Sequence, residues 1–143
     1  MNKRKTIVLM SLFFVAILII FFGIKTYNKP HIDIKNSTPE FTINSQKIVD
    51  EFQDNEVLAN KKYLDKIIQI KGKISKIEAS EKNDIIITIQ SDDMGLSSVI
   101  CHLLPEENKN LSLLKQNQSI TLKGICTGYL MDVIIIRCNI VNI

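Results

Sequence analysis

Three cysteines, Cys101, Cys126 and Cys138, are the side chains here best suited to chemistry, and their spacing limits what that chemistry can be. No two form a Cys-x-x-Cys pair, which argues against a zinc ribbon and against a thioredoxin-like redox motif. A disulfide with one cysteine left over remains, as does a set of three buried thiols acting as small apolar residues. The two histidines, His31 and His102, are scattered and make no pair for proton transfer or metal ligation. Asp92-Asp93 sits in a polar turn, where carboxylates more often solvate the chain than catalyse. No serine carries a nucleophile motif. The sequence therefore offers no catalytic, cofactor-binding or metal-binding residues, and the chain is expected not to be an enzyme. Lys71, Lys73 and Lys76 form a short basic edge that could face a ligand.

The elements that position these residues can be read from apolar periodicity. Asn44 or Ser45 caps a helix whose apolar stripe, Ile48, Phe52, Ala59 and Tyr63, runs over about five turns. Asp50, Asp54, Lys61 and Lys62 lie opposite the stripe, and Asn55-Glu56 flank it by bonding to nearby backbone. From Lys66 the period becomes two. Ile68, Ile70 and Ile74 point inward and Gln69, Lys71 and Lys73 outward, with Gly72 marking a bend or bulge. A polar turn at 80–84 leads to a second strand with Ile85, Ile87 and Ile89 inside. The break at 91–95 precedes a third, with Val99, Cys101 and Leu103 inside and His102 on its outer face. Pro105 starts a short helix that turns Leu111 and Leu114 to the core, and Asn117 takes the left-handed conformation. Ile120, Leu122, Gly124 and Cys126 form the inward row of the fourth strand. Gly128 to Met131 turns into the fifth, Val133 to Ile140.

A helix, three strands, a short helix and a closing hairpin is the order of a five-stranded OB-fold barrel, with the first helix capping one mouth. The fold class is mainly β, and the domain is expected over residues 44–143. In that strand order Cys138 can neighbour either other cysteine. With Thr127 facing Asp132, Cys138 falls opposite Thr121, roughly 16 Å from Cys126 at ~3.3 Å per residue. Cys101–Cys138 is then the better disulfide, with three free thiols as the alternative.

Ahead of the domain, residues 6–24 are uncharged and apolar, long enough at ~1.5 Å per residue to cross a ~30 Å bilayer core. Lys3, Arg4 and Lys5 precede the run and should stay cytoplasmic. That predicts a cytoplasmic tail (1–5), an uncleaved single-pass transmembrane helix (6–24), a tether (25–43) containing Pro30 and Pro39, and an extracytoplasmic domain in a bacterial cell envelope. The net charge of +3 comes from the first 25 residues, which hold four cations and no acid. The rest carries 14 basic and 15 acidic side chains and has no overall field for phosphates or anionic lipid.

From about Ser45 to Ile143 the chain resembles the tRNA_anti-like family of extracytoplasmic bacterial domains. The resemblance rests on Phe52 with Asn55-Glu56 and Ala59, then Tyr63, Lys66, Gly72 and Cys101. It continues through Lys123-Gly124, Cys126, Gly128-Tyr129, Asp132-Val133 and Cys138. Asn117 stands where the family pattern has Gly, and tolerates the same backbone. The resemblance implies an OB barrel and supplies no activity.

The expected function is a membrane-anchored binding or interaction module for a protein, peptide or glycan outside the cytoplasm, alone or within a larger envelope assembly. The alternative is single-stranded nucleic-acid binding, which uses a basic groove and aromatic platforms on the second and third strands. Those strands have no aromatic residue, and Asp84, Asp92 and Asp93 offset the lysine edge. Nucleic acid is the weaker expectation.

Overall fold

Ile68, Ile70 and Ile74 alternate with polar residues, and this row builds the strand on which the molecule closes. The computed structural model describes Met10, Phe13 and residues 33–79, 84–91 and 97–142. The expected cytoplasmic tail, His31, Asp92, Asp93, tether residues 25–32 and most of both polar turns lie outside the described residues. So does the expected span 6–24, apart from Met10 and Phe13, both helical. Among the described residues no helix is long and apolar enough to cross a membrane.

The elements follow in the order β1 (Phe41–Asn44), α1 (Ser45–Asp54), α2 (Glu56–Tyr63), β2 (Ile67–Ala79), β3 (Ile85–Gln90) and β4 (Ser98–Leu103). A 3-10 helix (Pro105–Leu113), β5 (Ser119–Leu130) and β6 (Asp132–Asn142) complete the chain. The first part of β2 pairs with β5 and the second part with β3. The circuit β2–β3–β4–β6–β5 therefore closes on itself, as a five-stranded OB barrel does. Gly72 permits the tight passage of β2: a Cβ there would come within 2.3 Å of Ile89 and 2.6 Å of the Ser45 hydroxyl. A bulge between Ile74 and Lys76 then carries the strand from one partner to the other.

Where a single helix is expected, there are two. The Asn55 N–H bonds to the Glu51 carbonyl at the end of α1, and its Oδ1 accepts from Leu58 N–H at the start of α2. Asn55 is thus both a stop and a cap. The break costs the apolar stripe nothing, since Ile48, Phe52, Ala59 and Tyr63 are all buried. Phe52 stacks on Tyr129 of β5 at 5.6 Å, and Phe41 meets Tyr63 edge-on at 5.1 Å.

The stretch expected as a tether joins the domain from Asp33 onward. Asp33–Ile143 form one compact unit. Asn36 and Ser37 hydrogen-bond back to Asp33 in a turn, Ile34 is 2% exposed, and β1 runs parallel to β2 with Phe41 opposite Ile68. The only apolar residues in this polar stretch are too few to show a period, which hides a four-residue strand.

The closing hairpin has a different register from the expected one. Met131 takes φ +70° and forms the turn alone, so Leu130 faces Asp132 and Cys126 faces Ile135. Gly128, at φ +118°, lies inside β5 at a bulge rather than in the turn. Cys138 sits over Gly124, where a Cβ would come within 2.7 Å of its sulfur. It lies two residues along from Cys126, not five. The roughly 16 Å separation shrinks to about 7 Å along the strand. Strict alternation from Val133 and Ile135 would also turn Arg137 inward. A second left-handed residue, Arg137 at φ +55°, resets the row so that Cys138 is buried instead.

Candidate functional site

Three places in the barrel gather chemically distinctive side chains. The first is the outer face of β3, β4 and β6. Alternation that buries Ile87 and Cys101 turns Ile86, Thr88, Ile100 and His102 outward, all half-buried. Cross-strand registers align Lys76, Thr88, Ile100 and Ile134 in one row over four strands, with Ile86 opposite His102 in the next. The centre of this face is aliphatic. On this face β3 and β4 carry no aromatic or basic side chain apart from His102; Arg137 lies further along β6. Asp132 fixes one end, its Oδ1 accepting from the Ser98 N–H at 2.7 Å and the Ser98 hydroxyl at 2.8 Å.

The second place is the lysine edge, which divides. Lys76 lies beyond the bulge and pairs with Glu78 at 2.7 Å. Lys71 and Lys73 stay together on either side of Gly72 and line two cavities. One, of about 430 Å³, is completed by Ser119, Thr121 and Asn142. The other, of about 290 Å³, reaches toward the start of α1 at Asn44 and Gln46. Ser119 and Thr121 carried no signal in sequence, because only the β2–β5 register places them opposite the lysines.

The third place is the cysteine cluster. Cys101, Cys126 and Cys138 are free thiols and fully buried. Burial pushes the Cys138 thiol well above its usual range, and a hydrogen bond with the adjacent Cys101 thiol adds to this. Burial also raises Cys126, partly opposed by a backbone hydrogen bond from Gly128. Such thiols are poor nucleophiles and poor metal ligands. Among the described residues no group of His, Cys, Asp and Glu could hold a metal ion. His102 lies on the outer face of β4, opposite Ile86.

The closed five-stranded circuit with its open outer surfaces defines an OB barrel, a binding fold. The sequence matches the tRNA_anti-like family over residues 1–140, and the chain belongs to that family. Among solved structures it is similar to a candidate nucleic acid-binding lipoprotein from Klebsiella pneumoniae subsp. pneumoniae. The two are 16% identical with a TM-score of 0.59, covering 80% of this chain and 100% of that one. A chain of the Stn1–Ten1 complex from S. pombe is 17% identical with a TM-score of 0.41, over 54% and 59% of the two chains. At 16% identity the likeness to the Klebsiella structure is one of fold. No curated protein matches the sequence.

Proposed function

We propose that this protein is a membrane-anchored, extracytoplasmic OB-fold module that binds a protein partner through the outer face of β3, β4 and β6. The observation carrying this reading is the aliphatic centre of that face, Ile86, Ile100 and Ile134 around Thr88. Single strands are held by aromatic stacking and cationic grooves, whereas a half-buried aliphatic patch with polar edges suits a protein surface. The apolar run at 6–24 with its preceding cations supports the anchor and the orientation. Site-specific photocrosslinking in intact cells tests the reading. Probes at Ile100 and Thr88 are expected to capture one discrete protein, and a probe at the exposed Leu113 is not.

Nucleic-acid binding is a second reading. It is favoured by Lys71 and Lys73, which lack a carboxylate partner among the described residues, and by the description of the Klebsiella structure. Submicromolar binding of a single-stranded oligonucleotide, weakening steeply with salt, would displace the protein-partner reading.

A further inference from the structure

Apart from the aliphatic face, one polar row crosses four strands in register. Asn44 of β1 faces Lys71 of β2, Lys71 faces Thr121 of β5, and Thr121 faces Asn142 of β6. One step along, Lys73 faces Ser119. The row has a built origin. Gly72 leaves no room for a side chain against Ile89 and Ser45, so the start of α1 comes down on β2 between the two lysines. By strand alternation Lys71 and Lys73 lie on the same outer side of β2, opposite Gly72, with Thr121 and Ser119 as their cross-strand neighbours. Neither cavity that shares them is lined by a carboxylate. Among the described residues, Glu78 pairs with Lys76 and Glu40 with Lys66.

We propose that the cavity bounded by Lys71, Lys73, Ser119, Thr121 and Asn142 binds a small ligand through a phosphate monoester group. At about 430 Å³ it falls within the range of small-molecule sites. Two lysines and two hydroxyls match a phosphate monoester, which carries about −1.5 to −2 charge near neutral pH and three acceptor oxygens. A monocarboxylate would leave one ammonium uncompensated. Arginine, the side chain suited to bidentate carboxylate recognition, does not line the cavity. Ile120 and Gly72 supply an apolar floor for the organic part of the ligand. This site is separate from the proposed protein-binding face, so either can fail without the other.

Calorimetric titration of the full-length protein in mild detergent with glycerol 3-phosphate tests the proposal, with inorganic phosphate, acetate and a single-stranded oligonucleotide alongside. Saturable binding of the ester is expected, weakened about tenfold by Lys71→Gln and by Lys73→Gln, the scale of a lost charge-assisted hydrogen bond. Lys76→Gln should leave it within about twofold. Acetate should bind more weakly than the ester. Inorganic phosphate shows how much the organic part adds, and its own saturable binding would support the phosphate chemistry. The proposal is overturned if the ester fails to saturate by ~10 mM, where specific phosphate sites are filled. It is equally overturned if all three lysine variants lose the same amount. An oligonucleotide binding far more tightly than the ester, with a steep salt slope, would assign the edge to a strand instead.

Discussion

The Nζ of Lys123, on β5, donates to the carbonyl of Ser37 at 2.8 Å and to that of Lys35 at 3.0 Å, tying the start of the folded unit to its closing hairpin. Lys123 is only 8% exposed, so its ammonium depends on these acceptors in place of water. Replacing it with Met keeps the apolar stem and removes the donor. Lys123→Met is expected to lower stability by about 1–3 kcal/mol, the scale of buried charge-assisted hydrogen bonds. The loss should be accompanied by faster amide exchange at 33–37, measured by mass spectrometry. Unchanged exchange in that segment would show that other contacts, such as buried Ile34, hold it alone.

The barrel was legible because apolar residues recur at every second position in the first four expected strands, and the inward rows read there are buried in the structure. What escaped reading depends on single residues whose backbone departs from the default. Met131 and Arg137 have no sequence mark of a left-handed conformation, since neither is Gly or Asn, yet they set the hairpin register and the direction of Cys138. Gly128 looked like the turn residue and is a bulge. Asn55 divides a stripe that still reads as one helix, because the break conserves the buried face. The cavity at Lys71 and Lys73 could be only half seen. Its lysines flank a single glycine in sequence, while its hydroxyls come from a strand about fifty residues away.

Gly124 is held small by its neighbours. A Cβ there would lie 2.7 Å from the Cys138 sulfur, 2.7 Å from Ile135 Cγ2 and 2.8 Å from the Ile136 carbonyl. Gly124→Ala is expected to cost about 1–3 kcal/mol by overpacking. Adding Cys138→Ala should recover only part of this, because the Ile136 contact is backbone. Chemical denaturation of the two single variants and the double variant measures the coupling, and strict additivity would mean that the sulfur is not the obstacle.

Met131 should prove replaceable with profit to stability. It holds φ +70° while 80% exposed, so it pays the left-handed penalty without packing in return. Met131→Gly is expected to stabilise the protein by roughly 0.5–1 kcal/mol, less the added freedom of Gly in the unfolded chain. A lower melting temperature for this variant would show that the turn does not hold that conformation.

Cys101 and Cys138 are the pair expected to oxidise. They lie on adjacent strands, with Leu103 opposite Cys138 across a bulge, and their thiols are in contact. On refolding with glutathione disulfide, the two thiols pass two electrons and two protons to the oxidant and form one S–S bond. Intact mass should fall by two hydrogens, and denatured protein should then label one thiol, at Cys126. Labelling of all three, or a peptide map joining Cys126 to Cys138, would overturn the pairing.

Glu51 joins the two helices across the break at Asn55, its Oε2 accepting from Lys62 at 2.7 Å and from the Tyr63 hydroxyl at 2.8 Å. Partial burial works to raise its carboxyl, but the bonds from Lys62 and Tyr63, with the charges of Lys62 and Lys47, outweigh it and hold the group below the ordinary carboxylate range. The Lys62 ammonium moves the opposite way, raised chiefly by its bond to Glu51. A lowered carboxyl stabilises the fold fully above its unfolded value of 4.5 and loses that contribution as pH falls through the folded value. A raised ammonium loses its share only as pH climbs through a value above 10.5. The pair therefore contributes between those limits. With Lys62 43% exposed, solvent screening keeps the effect to about 1 kcal/mol or less. Urea denaturation should find Glu51→Gln less stable than the parent by that amount at pH 7, with the gap closing as pH falls below 4.5 and the parent carboxylate protonates. A gap that persists at low pH would mean that the neutral hydrogen bond to Tyr63, and not the charge on Glu51, joins the helices.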